Sequence, residues 1–270
     1  MIYLSASFFT LLLITISFHF SPVKYIEIHC KHFFYGYPTG TPRTNDLIIR
    51  DIYALSSNDK TKFADWVAYR LDKETVSGKV KVEREWKSDP WLSNDETLKP
   101  SDYKNTSAVL NMDRGHLAPL ASFTGTKYSA DTNYLSNIAP QSADLNQVTW
   151  QILEQKIENI AISGEIVYVI TGPMYERKML SLPYTSKAHK IPSGFWKIIF
   201  VPKYDNIDSF KVASFIFDQN TPKTDNVIDH LCTINEIESR TGLDFLRDLP
   251  EDKEKEIEKN KDEEWAKKYF

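Results

Sequence analysis

Three short apolar runs constrain this chain most: EIVYVITGPMY (165–175), GFWKIIFVPKY (194–204) and KVASFIFDQN (211–220). Each is rich in β-branched and aromatic residues and bounded by glycine, proline or polar residues. That pattern predicts strands of one mainly antiparallel sheet. Ahead of them, SADLNQVTWQILEQKIENIAISG (142–164) repeats Asn146, Trp150, Leu153, Ile157 and Ile160 at helical spacing. Asp144 reads as its N-cap, with Gln147 three residues on as in a capping box, and Gly164 as its stop. TKFADWVAYRLD (61–72) alternates in part and reads as a strand. NEIESRTGLDFLRDLP (235–250) reads as a helix broken at Gly242 and then a shorter one. Residues 37–42 and 89–103 are punctuated by proline and read as surface loops. No repeat or low-complexity linker divides the body. The expected fold class is α+β, a mainly antiparallel central sheet flanked by helices in one domain.

A chain of 270 residues, 41% of them hydrophobic, is long enough to bury a substantial core. The formal net charge of −4 excludes a globally basic nucleic-acid binder but not a local cationic cleft. The two cysteines, Cys30 and Cys232, allow at most one disulfide, have no metal-type spacing and read as two unpaired or incidentally paired thiols. Residues 2–20 are almost uncharged and mostly apolar, and Lys24 is the first basic side chain. Residues 1–22 therefore read as a leader. An export signal and a membrane anchor both fit, so the protein is expected to be secreted, periplasmic or anchored by this segment. Residues 251–270 carry mixed charge and read as a frayed solvated helix or tail.

The chemistry concentrates in two places. In NMDRGHLAPLASF (111–123), His116 can accept a proton near neutral pH. Arg114 offers fixed donors to an anion, and Gly115 lets the backbone turn or approach a ligand. Asp113 either orients a neighbour or pairs with Arg114. Taken alone, these residues read first as a salt-bridged turn and second as a catalytic loop. In NYLSNIAPQSADLNQVTWQILE (133–154), Asn133 and Asn137 read as turn residues. Asn146 lies on the otherwise apolar helix stripe, where a buried amide needs a partner. Its carbonyl oxygen is a hard, neutral ligand suited to Mg²⁺. Glu154, two turns on, can hold water on such an ion, or can be an exposed carboxylate beside Lys156. With so few protein ligands, an ion would be retained chiefly with a phosphate substrate present.

Together DRGH (113–116), NYLSNIAPQ (133–141) and LNQVTWQILE (145–154) resemble the DNA/RNA non-specific endonuclease family. The similarity continues in YALSSNDKTKFADWVAYRL, EREWKSDP and INEIESRTGLDFL, spans about residues 36–250, and is nearer to the secreted bacterial type than to the mitochondrial one. It implies a ββα-metal active-site core. It also implies His116 as general base, Asn146 as direct Mg²⁺ ligand with Mn²⁺ as a substitute, and Glu154 as a ligand through water. Arg84 and Arg114 match phosphate-contacting arginines, and Asn137 a residue near the scissile phosphate. Asp113 matches a supporting catalytic position and Asn133 a substrate-side one. The implied partners are DNA and RNA, and a homodimer is compatible with the resemblance.

Three features depart from the family pattern. Glu158 stands where the secreted enzymes carry an arginine, and Lys156 is the nearest substitute, although it points off that face. The secreted type has two disulfides, of which this chain keeps one cysteine each, so neither bridge is expected. The tail beyond residue 250 has no counterpart. The rival readings are a phosphodiesterase of narrower substrate range and a nucleic-acid-binding protein with a decayed site.

Overall fold

A computed structural model describes residues 28–78, 83–203 and 206–270. The expected leader, residues 1–22, lies outside them. In chain order the strands and helices are β1 (Asp46–Ile49), β2 (Ala54–Ser57), β3 (Ala64–Leu71), α1 (Lys73–Val76), α2 (Thr106–Leu110), β4 (Met112–His116), β5 (Ile138–Ser142), α3 (Gln151–Ile162), β6 (Val167–Met174), β7 (Gly194–Lys203), β8 (Asn206–Asp218), β9 (Leu231–Cys232), α4 (Ile234–Thr241), α5 (Glu251–Lys259) and α6 (Glu263–Tyr269). Seven strands form an antiparallel sheet in the order β1-β2-β3-β6-β7-β8-β9, and β4 pairs with β5 apart from it.

The sheet is covered on both faces, which is why its strands read as continuous apolar runs. Along β7, Phe195, Ile199 and Val201 join the core under α3, while Trp196, Ile198 and Phe200 join the core under α4. Lys197 belongs to the first set by the two-residue alternation of a strand. The helix stripe Trp150, Leu153, Ile157 and Ile160 is buried as expected. Cys30 and Cys232 are both free thiols. Among the described residues no helix is long and apolar enough to cross a membrane.

Four expectations change. Asp144 is already helical, at φ −66° and ψ −43°, and its side chain caps nothing. Ser142 Oγ instead accepts the Leu145 N–H at 3.3 Å, while Gln147 turns to Asp113. The helix also opens with a π-helical stretch, Leu145–Trp150, before becoming α3. Residues 243–250 form no helix, because Asp244 exchanges backbone hydrogen bonds with Thr39 (2.9 and 3.2 Å) and Leu246 takes φ +52°. The 89–103 stretch is not simply a surface loop, since it buries Asp89, Leu92, Leu98 and Tyr103. The tail is not a frayed helix. It forms α5 and α6, buries Ala266 and Phe270, and sets Phe270 edge-on to Phe215 at 5.2 Å.

Candidate active site

β4 and β5 pair in register, Arg114 with Pro140 and His116 with Ile138, and the helix follows β5 directly. Strand alternation puts Arg114 and His116 on one face of β4. Gly115 between them lies against the paired strand and takes no left-handed turn. A Cβ there would come within 2.5 Å of Gln141 Oε1 on the paired strand, so the close crossing demands glycine.

The segment 117–137 returns from β4 to β5 and is stapled by Asn137. Its Oδ1 accepts the Ala118 N–H at 2.8 Å, and its Nδ2 donates to the carbonyls of Ala118 and Thr132, both at 2.9 Å. With its amide fully committed and buried, Asn137 holds the loop and does not reach the cleft. Asn133 is also buried, and it stands behind His116 rather than on the substrate side. Its Oδ1 lies 3.1 Å from His116 Nε2, and its Nδ2 donates to the Glu83 carbonyl at 3.3 Å. The Glu83 contact orients the amide, which makes Nε2 the protonated ring nitrogen and leaves Nδ1 with a free lone pair. Burial pushes the His116 pKa down to about 4, opposed by the Asn133 bond and helped by the charge of Arg84. The imidazole is therefore neutral at neutral pH.

Trp86 packs against both working side chains of β4. Its ring lies 5.2 Å from that of His116 and 5.4 Å from the Arg114 guanidinium, which Tyr103 flanks from another side at 5.2 Å. The segment carrying Arg84 and Trp86 runs beside 133–135, where Lys87 N–H donates to the Asn133 carbonyl and Leu135 N–H to that of Lys87. A buried ion pair anchors its far end. Arg50 Nη2 meets Asp89 Oδ1 at 2.5 Å, Ser136 donates to the other carboxylate oxygen, and Arg50 lies against the rings of Trp91 and Tyr134.

A cavity of about 370 Å³ separates β4 from the helix and is lined by Arg84, Arg114, His116, Asn146, Glu154 and Glu158. A second, of about 790 Å³, adjoins it over Trp86, Tyr103 and Lys104 and shares Arg84, Arg114 and Asn146 with it. The Nε of Arg114 is buried with no hydrogen-bond partner. Among the described residues its side-chain hydrogen bond is a 3.3 Å donation from Nη2 to the Pro100 carbonyl, so the guanidinium is not neutralised by Asp113. Asp113 Oδ2 instead accepts from Asn146 Nδ2 at 2.9 Å and from Gln147 Nε2 at 2.8 Å. That commits the nitrogen of the Asn146 amide and leaves Oδ1 as the atom free for a ligand.

Glu154 is held by a residue the motif reading did not include. Lys197 Nζ lies 3.3 Å from Glu154 Oε1 and 4.2 Å from the centre of the Trp150 ring. Burial pushes the Glu154 carboxyl up to about 7, opposed by Lys197 and assisted by the nearby Glu158. Burial likewise lowers the Lys197 ammonium, opposed by the same two carboxylates. The signal was present in the sequence: Lys197 is the one charge inside GFWKIIFVP. Glu158 faces the cleft and accepts from Ser122 Oγ at 2.7 Å. Lys156 does not replace the missing arginine, because its ammonium donates to the Phe270 carbonyl at 2.5 Å. A separate group of carboxylates, Asp46, Asp59 and Glu96, contributes nothing to the lining of this cleft.

The donor set suits a hard divalent cation that keeps most of its water. It comprises one amide oxygen and one carboxylate, facing an arginine with an unused buried N–H. The same set offers a neutral imidazole on the opposite wall.

The profile of the DNA/RNA non-specific endonuclease family matches residues 32–252. The nuclease of Serratia marcescens is 47% identical over 220 residues, covering 80% of each chain. Human mitochondrial endonuclease G is 30% identical over 223 residues, covering 78% of this chain and 72% of its own. Among solved structures, one from the EndoG/EndoGI complex superposes with a TM-score of 0.68 at 22% identity, covering 81% of this chain and 91% of that one. At that identity the superposition supports the shared fold, and the sequence matches carry the assignment: the chain belongs to the DNA/RNA non-specific endonuclease family.

Proposed function

We propose that this cleft hydrolyses phosphodiester bonds in both DNA and RNA with little sequence preference, using Mg²⁺, for which Mn²⁺ can substitute. The observation that carries this reading is the His116 imidazole, held at Nε2 by Asn133, on the same β4 face as the unsatisfied Arg114 Nε, across the cleft from Asn146 and Glu154. Asn146 Oδ1 would ligate the ion directly and Glu154 through water. An ion held there supplies Lewis-acid stabilisation of the transition state and of the leaving 3′-oxygen.

The protein's own part is as follows. Arg114 and Arg84 bind the phosphate oxygens and offset the charge that develops on them. His116 Nδ1 removes a proton from water as its oxygen attacks phosphorus in line. The P–O3′ bond breaks, the 3′-oxygen takes a proton from solvent, and the products are a 5′-phosphate and a 3′-hydroxyl. Asn133 keeps the imidazole in the tautomer this requires. The Arg84 and Arg114 guanidinium groups present donors for phosphate to the cleft, which fits recognition of the backbone.

The test is incubation of the purified protein with plasmid DNA and with RNA, with and without Mg²⁺, beside His116→Ala. Degradation of both polymers, abolished by EDTA and reduced about a thousandfold or more in the variant, is expected. Cleavage of one polymer only would favour the narrow-substrate reading. No cleavage would favour a decayed site, and full activity in His116→Ala would remove the base. We also propose that residues 1–22 direct export or anchor the enzyme. Fractionation of producing cells, with mass spectrometry of the N-terminus, distinguishes the two.

A further inference from the structure

Lys197 is fully buried in β7, between Phe195 and Ile199 on the core face under α3. An ammonium there carries a desolvation penalty that an apolar side chain of the same length would avoid. Among the described residues its electrostatic partners lie on the one helical segment that walls the cleft. They are the Glu154 carboxylate at 3.3 Å, the face of Trp150 at 4.2 Å and, at longer range, Glu158. Glu154 is almost as enclosed, its side chain 16% exposed, yet it lines the cavity. The carboxylate thus meets the ammonium from beneath with Oε1 and the cleft from above.

We propose that Lys197 is a positioning residue for the hydrolytic reaction. Its ammonium fixes Glu154 through Oε1, so that Oε2 faces the ion site in one orientation, and its charge offsets the second carboxylate that Glu158 brings to the same wall. The proposal rests on the reading of the cleft as a metal-assisted hydrolytic site. It assigns this chain a cation below the cleft in place of a phosphate-side arginine within it.

The experiment compares Lys197→Met, Glu154→Gln and the double variant in the full chain. It measures kcat and KM on plasmid DNA and the Mg²⁺ concentration for half-maximal rate. Mn²⁺ binding is read separately by electron paramagnetic resonance in a His116→Ala background with a short duplex present, so that metal affinity is measured without turnover. Lys197→Met is expected to leave KM within about twofold and lower kcat and Mn²⁺ affinity about 10- to 100-fold, the range for a group that orients a metal ligand. In the Glu154→Gln background the same substitution should change either quantity less than about twofold, because its effect passes through Glu154. Wild-type kcat and Mn²⁺ affinity in Lys197→Met would overturn the proposal, as would an equal loss in both backgrounds. If Lys197→Met fails to fold, the double variant, which has no unpaired buried charge, decides by whether it matches Glu154→Gln. If the wild type itself shows no metal-dependent cleavage, the hydrolytic reading fails, and the Mn²⁺ measurement still reports on Lys197 and Glu154.

Discussion

Asp113 holds Asn146: a single carboxylate oxygen accepts from the Asn146 amide at 2.9 Å and from Gln147 at 2.8 Å, across 33 residues of chain. The carboxylate in DRGH therefore engages the Asn146 side of the cleft and not the arginine beside it. Asp113→Ala should leave the fold and the KM for DNA near wild type, lower kcat about 10- to 100-fold, and raise the Mg²⁺ concentration needed for half-maximal rate. A magnesium titration of kcat checks this, and an unshifted titration would remove the orienting role.

Asn133 holds the His116 ring at Nε2, so the proposed base can be retuned from behind. Imidazole ¹⁵N spectra should show a proton on Nε2, a bare Nδ1, and titration near 4. Asn133→Asp places a carboxylate against the ring and favours the charged imidazolium. The His116 pKa should rise, and the acid limb of kcat/KM should move up in pH with it.

Two enclosed histidines, His32 buried and His116 half-buried, make the fold sensitive to acid. His32 and His116 are both pushed down to about 4 by burial, from an ordinary value of 6.5. Folded pKa values below the unfolded ones mean that the unfolded chain takes up the protons first. This contribution is therefore present above pH 6.5 and is lost as pH falls towards 4. Each histidine should remove about 2 kcal/mol of stability between pH 7.5 and 5. Urea unfolding at the two pH values should show a smaller difference for His32→Gln than for the wild type. Glu154, raised to about 7, acts in the opposite direction and is common to both proteins.

The Arg50–Asp89 pair ties the Trp86 segment to the sheet, with side chains 5% and 0% exposed. Asp89→Ala strands a buried guanidinium and should destabilise the fold by roughly 3–5 kcal/mol, measured by denaturant unfolding. The surviving folded fraction should show a raised KM, because Arg84 and Trp86 lose their anchor. A KM equal to wild type would uncouple the anchor from the cleft.

Glu158 can be exchanged for the arginine of the secreted enzymes. Glu158→Arg gives up the Ser122 bond and adds a cation at the rim of the cavity. The KM for DNA should fall, and the dependence of log affinity on log salt should steepen by about one. An unchanged salt slope would mean that position 158 does not face phosphate.

Local pattern determined much of this protein. The stripe from Trp150 to Ile160 and the runs in β6, β7 and β8 were legible because burial against one or two faces imposes a period on the residues themselves. The motif residues Asp113, Arg114, His116, Asn146 and Glu154 were legible by type and spacing and Arg84 only through the family resemblance, and all six line the two adjoining cavities. What each side chain does was decided elsewhere. Asn133 and Asn137 turn inward because their amides find partners on segments that only the folded loop brings near. Asp244 leaves the expected helix because its backbone pairs with Thr39, 205 residues away. The tail becomes two helices because Phe270 finds an aromatic surface on β8. Lys197 reaches Glu154 only because β7 passes beneath the helix that carries it. Periodicity reports which face of an element is buried. It carries no information about which distant hydrogen bond or ion pair will satisfy a polar group there, because that depends on sheet order and packing across the whole domain.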